Sequence, residues 1–332
     1  MNAAAMPATL NTIQAVNLAL DQALGADPNV IVLGEEVADE QGGGIVGCTK
    51  GLSGKYGKSR VRSTPISEQA IIGAAIGAAV VGMRPVAEIM LMNFTTVAMD
   101  MIVNHAAKLR FMSGGQTHVP LTIRTMTGAG FGTGGQHADY LEAWFAHTAG
   151  MKVVAPSSPA DAYGLLLSCI FDDDPCLFIE NMPSYWTPGP APAAGARIPL
   201  GKAHTVRAGS DVTLVSYSRM VGECVAVADK LAKENIRAEV IDLRTVAPFD
   251  AETILASVAR TRRAVIVHEA VKPFGVGAEI AAQINDALFG QLAARVERVG
   301  ANFSAVPFSK VLETAFTPGQ VQIETAVRRT LK

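Results

Sequence analysis

Short apolar runs alternate with amphipathic stretches along nearly the whole chain, and this alternation constrains the fold more than any other feature. Nine runs predict strands, at 30–34, 86–91, 121–125, 152–156, 176–180, 212–218, 238–243, 264–269 and 296–300. Eight stretches predict helices, at 12–24, 67–82, 95–111, 138–149, 159–171, 219–235, 275–289 and 320–331. Apolar strands separated by helices are typical of parallel sheets that helices cover on both faces. The predicted fold class is therefore α/β, with two doubly wound parallel-sheet domains.

The segment SYWTPGPAPAAGARIP at 184–199 interrupts the alternation. Its prolines and small residues favour a linker over a packed element. A chain of 332 residues also exceeds one ordinary domain. We therefore predict a first domain over 1–187, a linker over 188–199 and a second domain over 200–332.

Composition and charge exclude several classes of protein. The formal net charge is −2, whereas a nucleic-acid partner requires clustered positive charge. The run from Ala70 to Met83 is apolar but shorter than the roughly 20 residues that span a bilayer. The four cysteines show no paired spacing, and the N-terminus shows no basic region followed by an apolar run. We expect a cytoplasmic protein with reduced thiols that binds neither nucleic acid nor membrane.

Charge is scarce in the middle of the predicted first domain. Between Gln69 and Ala107 only Arg84, Glu88 and Asp100 are charged. The predicted helix at 67–82 lacks the polar stripe of a surface helix, and its glycines and alanines allow close approach of another backbone. Two explanations remain open, a helix buried inside the domain or a subunit interface, and the second predicts a partner chain.

Glu68 stands at the start of that helix, in the motif TPISE at 64–68. An acidic residue in the first turn complements the helix dipole, which is one explanation for its presence. The next fifteen residues carry no charge, however, so Glu68 borders a very apolar region. Burial of a carboxylate raises its pKa and suits it to proton transfer, which is the second explanation.

The motif TGAGFGTGGQH at 127–137, here called the glycine-rich loop, follows a predicted strand. Gly130, Gly132 and Gly135 satisfy the spacing G-x-G-x-x-G, which suggests dinucleotide binding. The next strand carries no acidic residue for the ribose hydroxyls, which argues against it. The alternative is an active-site loop that presents His137, either as a catalytic group or as an ordinary hydrogen-bonded loop histidine.

The acidic run DDDP at 172–175 has two explanations. Such residues usually form a polar turn between a helix and a strand. Their oxygens also suit a hard cation. His105 and the pair His268–Glu269 are expected to be structural.

Several motifs together resemble a known family. They are GEEV (34–37), TPISE-x4-G-x3-G (64–77), GMRPVAEIM–NF (82–94), MSGG (112–115), GQH (135–137), KVVAPSSPADAYGLL (152–166), EVIDLRTVAPFD (239–250) and HEA (268–270). From about residue 10 to 331 the chain resembles the beta subunit of the heterotetrameric, thiamine-diphosphate-dependent 2-oxo acid dehydrogenase component. That family includes pyruvate, branched-chain and acetoin dehydrogenases. The resemblance implies a pyrimidine-binding domain followed by a transketolase C-terminal-type domain.

The resemblance also implies roles for individual residues. Glu68 matches the glutamate that holds the aminopyrimidine ring of thiamine diphosphate and promotes the proton transfer that activates it. Phe94 would stack on that ring, and Met90 would line its pocket. His137 matches a histidine that faces the reacting carbon and the incoming lipoyl group, as a proton donor or charge stabiliser. The alpha subunit of the family holds Mg²⁺ and the diphosphate through a G-D-G motif, which this sequence lacks.

A potassium site and an assembly are implied in the same way. The family's potassium ligands map to the backbone of Leu121, Cys169, Ile170 and Asp172 and to Asp174, where asparagine is frequent. The working unit would contain two alpha and two beta chains, active only together, with a lipoyl-bearing acyltransferase as acyl acceptor. The substrate would be a small 2-oxo acid, with pyruvate as the default and a branched-chain 2-oxo acid or acetoin as alternatives. A nicotinamide-binding oxidoreductase and a non-catalytic scaffold subunit are the competing functions.

Overall fold

The computed structural model describes residues 8–332, which form two compact units. The first unit comprises the residues up to Thr127 together with Trp144–Leu200, and the second comprises Gly128–Ala143 together with Gly201–Lys332. From the sequence, residues 128–143 are predicted to belong to the first domain. They belong to the second unit because Ala129 and Ala138 share an apolar cluster with residues near the C-terminus.

Six strands of the first unit form its parallel sheet. The strands of this unit are β1 (Thr9–Leu10), β2 (Val30–Gly34), β3 (Val61–Ser63), β4 (Arg84–Leu91), β5 (Thr122–Thr127), β6 (Lys152–Val154), β7 (Cys176–Asn181) and β8 (Gly189–Pro190). The sheet has the order β6-β7-β5-β4-β2-β3, and each neighbouring pair is parallel. β1 and β8 form a separate antiparallel pair. Every residue of β2, β5 and β7 is buried, as expected for a sheet covered on both faces.

The helices of this unit agree with the predicted positions where capping residues define their ends. They are α1 (Thr12–Ala26), α2 (Leu52–Tyr56), α3 (Glu68–Val80), α4 (Leu109–Met112), α5 (Glu142–Ala146, which begins in the second unit) and α6 (Pro159–Ile170). Asn11 and Gln14 exchange hydrogen bonds of 2.9 Å at the start of α1. The Ser158 hydroxyl accepts the Asp161 amide at the start of α6, which begins with a proline.

Two predicted helices differ from the structure. The stretch 95–111 is a 3₁₀ segment (Met92–Ala98), a π-helical segment (Met101–Ala106) and then α4. Thr95 and Thr96 donate their hydroxyls to carbonyls three residues earlier, at 2.6 and 2.7 Å, and such bonds compete with regular helix hydrogen bonding. The helix predicted at 138–149 is reduced to the five residues of α5, because its first four residues adopt a loop conformation in the second unit.

The predicted linker is packed against the first unit. Arg197 lies over the ring of Phe171, with 3.9 Å between the guanidinium carbon and the ring centroid. The Ser168 hydroxyl donates to the Ile198 carbonyl at 2.6 Å, and Ile198 fits closely over Gly164. Apart from the two-residue strand β8, the segment has no regular structure, and α6 supplies hydrogen-bond partners for its backbone.

The second unit contains a mixed five-stranded sheet. The strands of this unit are β9 (His204–Arg207), β10 (Val212–Ser216), β11 (Ala238–Asp242), β12 (Thr245–Ala247), β13 (Ala264–Val271) and β14 (Glu297–Ala301), and all but β12 belong to this sheet. The sheet has the order β14-β13-β10-β11-β9, parallel except for the antiparallel edge strand β9. This unit confirms the predicted α/β class.

Five helices accompany this sheet. They are α7 (Met220–Ala232), α8 (Ala251–Thr261), α9 (Val276–Leu288), α10 (Lys310–Phe316) and α11 (Gln320–Thr330). α7 and α11 pack with the valines of β10 and β13 in one apolar core. Within residues 8–332 no helix has both the length and the apolar character needed to cross a bilayer.

Candidate active site

Four residues of the first unit lie at or just after the carboxyl ends of neighbouring strands in its sheet. Glu35 follows β2, Glu68 comes after β3 as the first residue of α3, Met90 lies near the end of β4, and Phe94 follows β4. Because β3, β2 and β4 are adjacent and parallel, their carboxyl ends lie at the same edge. This edge is where open α/β sheets bind ligands.

Glu68 has a largely buried side chain that lacks a partner within residues 8–332. Its exposed fraction is 9%, and among residues 8–332 no side chain or amide forms a hydrogen bond or ion pair with it. Buried carboxylates in folded proteins nearly always have such partners, because loss of hydration is costly. The carboxylate of Glu68 is therefore suited to a donor from outside this chain, such as a ring nitrogen of a bound cofactor.

Glu35 is a second acidic residue at the same edge, and the sequence analysis assigned it no role. It is 7% exposed. Burial raises the pKa of its carboxyl above the ordinary value, and the negative charges of Glu68 and Glu36 raise it further. A carboxyl group with a raised pKa at a ligand-binding edge is a candidate for proton transfer. The motif GEEV was the only sequence signal of this residue.

Met90 and Phe94 are half-buried and pack against the core of the first unit. Met90 also lines a pocket that includes Ile45 and Glu88. A thioether and an aromatic ring beside acidic groups provide an apolar wall for a flat heterocycle. The structure thus places the two predicted cofactor-contacting residues at the carboxyl edge that Glu68 occupies, and their contacts with a cofactor stay predictions.

A buried ion network underlies the same pocket. Arg124 donates to Glu88 at 2.6 Å and to both carboxylate oxygens of Glu180 at 2.8 and 3.0 Å. The Tyr185 hydroxyl donates to Glu180 at 2.8 Å. Burial raises the pKa of Glu88, and the charge of Arg124 opposes this rise. The network satisfies the polar groups of three neighbouring strands and fixes the floor of the pocket.

The oxygens of the predicted potassium site lie in the first unit and already have partners. The carbonyls of Leu121 and Cys169 accept backbone amides at 2.9 and 3.2 Å. Arg84 donates to the carbonyls of Ile170 and Asp172, at 3.4 and 3.0 Å. The second lone pairs of these carbonyls suit a hard cation.

Two cations of the chain balance the carboxylates of that site. Lys152 binds both oxygens of Asp172 at 2.6 and 2.7 Å, and Arg110 binds Asp174 at 2.6 Å. These charges lower the pKa of Asp174 although its partial burial opposes them. The extra carboxylate at position 174 is therefore neutralised within the chain, so a potassium ion would share these oxygens with Lys152.

The glycine-rich loop lies in the second unit from Gly128 onward. Its amide of Ala129 donates to Glu269 at 2.8 Å, and that of Gly130 donates to Glu313 at 2.7 Å. In a dinucleotide-binding fingerprint these amides would face a diphosphate. Here carboxylates occupy them, so the loop does not form a phosphate-binding cradle. His137 is half-buried, and its amide donates to the Gly134 carbonyl at 3.1 Å.

Comparisons with known proteins agree with this geometry. The model of the family described as "Transketolase, pyrimidine binding domain" matches residues 8–186, and that described as "Transketolase, C-terminal domain" matches residues 201–323. A solved structure described as "Split gene transketolase, inactive beta4 tetramer" has a TM-score of 0.80 at 20% identity, over 97% of this chain and 98% of that chain. The fold and the matched family models define a protein of the transketolase type, a thiamine-diphosphate-dependent family.

Curated relatives narrow this class. The acetoin:2,6-dichlorophenolindophenol oxidoreductase subunit beta of Cupriavidus necator is 45% identical over 326 residues, which cover 96% of each chain. The pyruvate dehydrogenase E1 component subunit beta of Bacillus subtilis is 42% identical, over 98% of this chain and 99% of the relative. The mitochondrial pyruvate dehydrogenase E1 component subunit beta-1 of Arabidopsis thaliana is 45% identical, over 95% of this chain and 86% of the relative. The chain belongs to the same family as these dehydrogenase and oxidoreductase beta subunits.

Proposed function

We propose that this chain is the beta subunit of a thiamine-diphosphate-dependent 2-oxo acid dehydrogenase and supplies the pyrimidine half of the cofactor site. The observation that carries the proposal is the buried, unpartnered carboxylate of Glu68 at the carboxyl edge of the sheet. Bound thiamine diphosphate supplies a carbon nucleophile for a carbonyl substrate. The residues of this chain bind the ring, keep water away from it and move protons at its edge.

Each residue at that edge has a separate task. The carboxyl of Glu68 hydrogen-bonds the pyrimidine ring and holds a proton at that contact. Glu35, whose pKa is raised by burial and by Glu68, is placed to exchange that proton. Met90 and Phe94 exclude water from the ring faces. His137 acts later, as a proton donor or charge stabiliser during acyl transfer to the lipoyl group.

The remaining cofactor contacts come from elsewhere. The sequence contains no G-D-G motif for Mg²⁺ and the diphosphate, and residues 8–332 contain no cluster of three acidic, histidine or cysteine ligands. We therefore assign Mg²⁺ and the diphosphate to an alpha subunit, in a complex of two alpha and two beta chains. A potassium ion at the carbonyls of Leu121, Cys169 and Ile170 would stabilise the first unit.

The substrate is a small 2-oxo acid, with pyruvate as the default and a lipoyl-bearing acyltransferase as the acyl acceptor. Acetoin is the second candidate. It is supported by the Cupriavidus necator relative, whose name specifies acetoin and which matches this chain over 96% of both lengths. A 2-oxo acid and acetoin would use the same proposed cofactor site, and they differ only in the substrate that reacts with the cofactor.

Glu68→Gln tests the proposal. Glutamine keeps the shape of the side chain but cannot hold and return a proton, so turnover of the complex with the alpha chain should fall roughly 100-fold or more. Turnover is measured with a dye acceptor on a panel of 2-oxo acids and acetoin. Assembly, measured by light scattering after size-exclusion chromatography, should not change.

Glu40→Gln is the matched control, because Glu40 is an exposed glutamate that pairs with Lys58 at the surface. Its turnover should equal that of the wild type. Near-normal turnover of Glu68→Gln in an assembled complex would instead support a scaffold subunit. The panel also separates the two substrates, since the preferred one has the highest kcat/KM.

A further inference from the structure

The buried glutamate Glu313 binds the glycine-rich loop from the second unit. Its carboxylate accepts the amide of Gly130 at 2.7 Å and that of Gly132 at 3.2 and 3.1 Å. The residue belongs to α10 and is only 3% exposed. Among the described residues no lysine, arginine or histidine pairs with it. Loop amides are therefore the partners of this buried charge, which is an unusual use of a carboxylate within a core.

The backbone of the loop explains why the carboxylate can reach two of its amides. Gly130 and Gly132 have φ values of +145° and +66°, in a region that side-chain-bearing residues rarely adopt. Successive amides in such conformations point to the same side of the chain and form a site for an anion. Glu313 fills that site with a carboxylate of the protein itself.

Neighbouring contacts extend the fixed region to His137. A Cβ on Gly134 would lie 2.5 Å from the ring of Phe308, and one on Gly135 would lie 2.9 Å from Ala305. Residues 132–135 are thus in close contact with the segment that leads into α10. The His137 amide donates to the Gly134 carbonyl, which joins the histidine to this fixed segment.

A second carboxylate holds the beginning of the loop. Glu269, in β13, accepts the amide of Ala129 at 2.8 Å, and the carbonyl of Ala129 accepts Arg219 at 3.4 Å. The loop is therefore bound at its start by β13 and at its centre by α10. Displacement of either carboxylate would release the backbone that leads to His137.

We propose that Glu313 is a positioning residue of the reaction, which acts by holding the glycine-rich loop in the conformation that presents His137. The inference rests on the proposed function and adds to it a residue 176 positions away from the histidine in the sequence. Glu313 itself is buried and contacts the amides of the loop.

Loop exchange tests the first half of the proposal without any activity. In hydrogen–deuterium exchange of the complex with the alpha chain, peptides covering 129–132 should be protected in the wild type. They should exchange faster in Glu313→Ala and to an intermediate extent in Glu313→Gln, whose amide oxygen still accepts a hydrogen bond. Equal exchange in the wild type and Glu313→Ala would overturn the proposal.

A double-mutant cycle with His137→Ala tests the second half. We expect His137→Ala to lower the kcat of the lipoyl-coupled reaction roughly 100-fold. Glu313→Ala should lower it by roughly ten- to 100-fold with little change in KM, because misplacement of a catalytic group reduces kcat. The double variant should be no slower than His137→Ala, since Glu313 acts through the histidine.

The controls separate positioning from general destabilisation. Glu297→Gln changes another buried glutamate of the second unit, one that pairs with Arg295 at 2.6 Å and has no contact with the loop; its kcat should match the wild type. Additive losses in the double variant, or a normal kcat in Glu313→Ala, would overturn this inference alone. A wild-type complex inactive on all 2-oxo acids and acetoin would overturn the proposed function as well.

Discussion

At the scale of single residues, the carboxyl group of Glu142 has a strongly perturbed pKa within the second unit. It is fully buried, and one oxygen accepts the Tyr217 hydroxyl at 2.6 Å. The other oxygen has no hydrogen-bond partner in the described part of the chain. Burial raises the pKa of Glu142 from 4.5 to about 7, although the bond from Tyr217 opposes the rise.

This shift predicts a pH-dependent contribution to stability. Between pH 4.5 and 7 the unfolded chain releases the proton of Glu142, whereas the folded chain keeps it, so rising pH favours unfolding. The contribution of this group is therefore complete below pH 4.5 and is lost as the pH rises to about 7. A shift of this size corresponds to about 3 kcal/mol.

Glu142→Gln should remove that dependence, because glutamine does not ionise and can still accept the Tyr217 hydroxyl. Urea unfolding at pH 5 and pH 7.5 measures it. Relative to the wild type, the variant should gain about 2 kcal/mol in free energy of unfolding between these two pH values, because part of the contribution is already lost at pH 5. Glu252→Gln, at an exposed position of α8, is the control and should show no such gain. Parallel pH profiles for Glu142→Gln and the wild type would contradict the prediction.

Some candidate site residues could be predicted from the sequence because their signals are local, whereas others depend on contacts between distant residues. Glu68 could be predicted as a candidate because its signal is local, a carboxylate beside fifteen uncharged residues. The role of Glu313 depends on contacts with amides 181 and 183 residues away, and no local pattern encodes them. Glu35 is intermediate, since its motif was visible but its interaction with Glu68 requires the pairing of β2 with β3.

At the scale of elements, Gly150 allows the turn before β6 to approach the segment that precedes α4. Its φ is +97°, and a Cβ there would lie 1.9 Å from the carbonyl oxygen of Ala107. Backbone atoms cannot move aside as the end of a flexible side chain can. Gly82 is a matched position, with a φ of +96° and no heavy atom within 4 Å of a Cβ.

Gly150→Ala should therefore be far more harmful than Gly82→Ala. The strain of a positive φ costs about 1–2 kcal/mol in both variants. The clash with Ala107 should raise the loss to more than about 4 kcal/mol in Gly150→Ala. Urea unfolding of the two variants measures the difference, and equal losses would show that the turn can move away from Ala107.

Most elements of the fold could be predicted because their signals are periodic. β2 was predicted with its observed bounds, and α1 and α6 were predicted to within two residues. The π-helical segment at 101–106 could not be predicted, since it depends on how the chain packs after Ala98. α8 was missed, although the Asp250 side chain accepts the Thr253 amide at its start.

At the scale of the whole molecule, α3 has the composition of an interface helix. Val80 at its end and Val81 after it are 46% and 79% exposed, and Ile66 before it is 82% exposed. A Cβ on Gly77 would meet no heavy atom of residues 8–332 within 4 Å, so no described residue covers this side of the helix. Exposed apolar surface of this kind indicates a protein partner. The relatives are named as subunits, which agrees with the need for a partner chain.

The need for a partner chain predicts that the isolated beta chain binds the cofactor weakly. In the proposed site Glu68, Met90 and Phe94 would contact only the ring of the cofactor, whereas hydrogen bonds to a charged diphosphate are stronger than neutral ones. If the groups that bind the diphosphate and Mg²⁺ lie on another chain, the beta chain alone should bind thiamine diphosphate and Mg²⁺ roughly 100-fold more weakly than the complex does. This ratio corresponds to a difference of about 2.7 kcal/mol in binding free energy. Calorimetric titration of both samples measures the ratio. The reason for an obligatory partner is lost if the beta chain alone shows tight, Mg²⁺-dependent binding, because its own side chains would then hold the diphosphate.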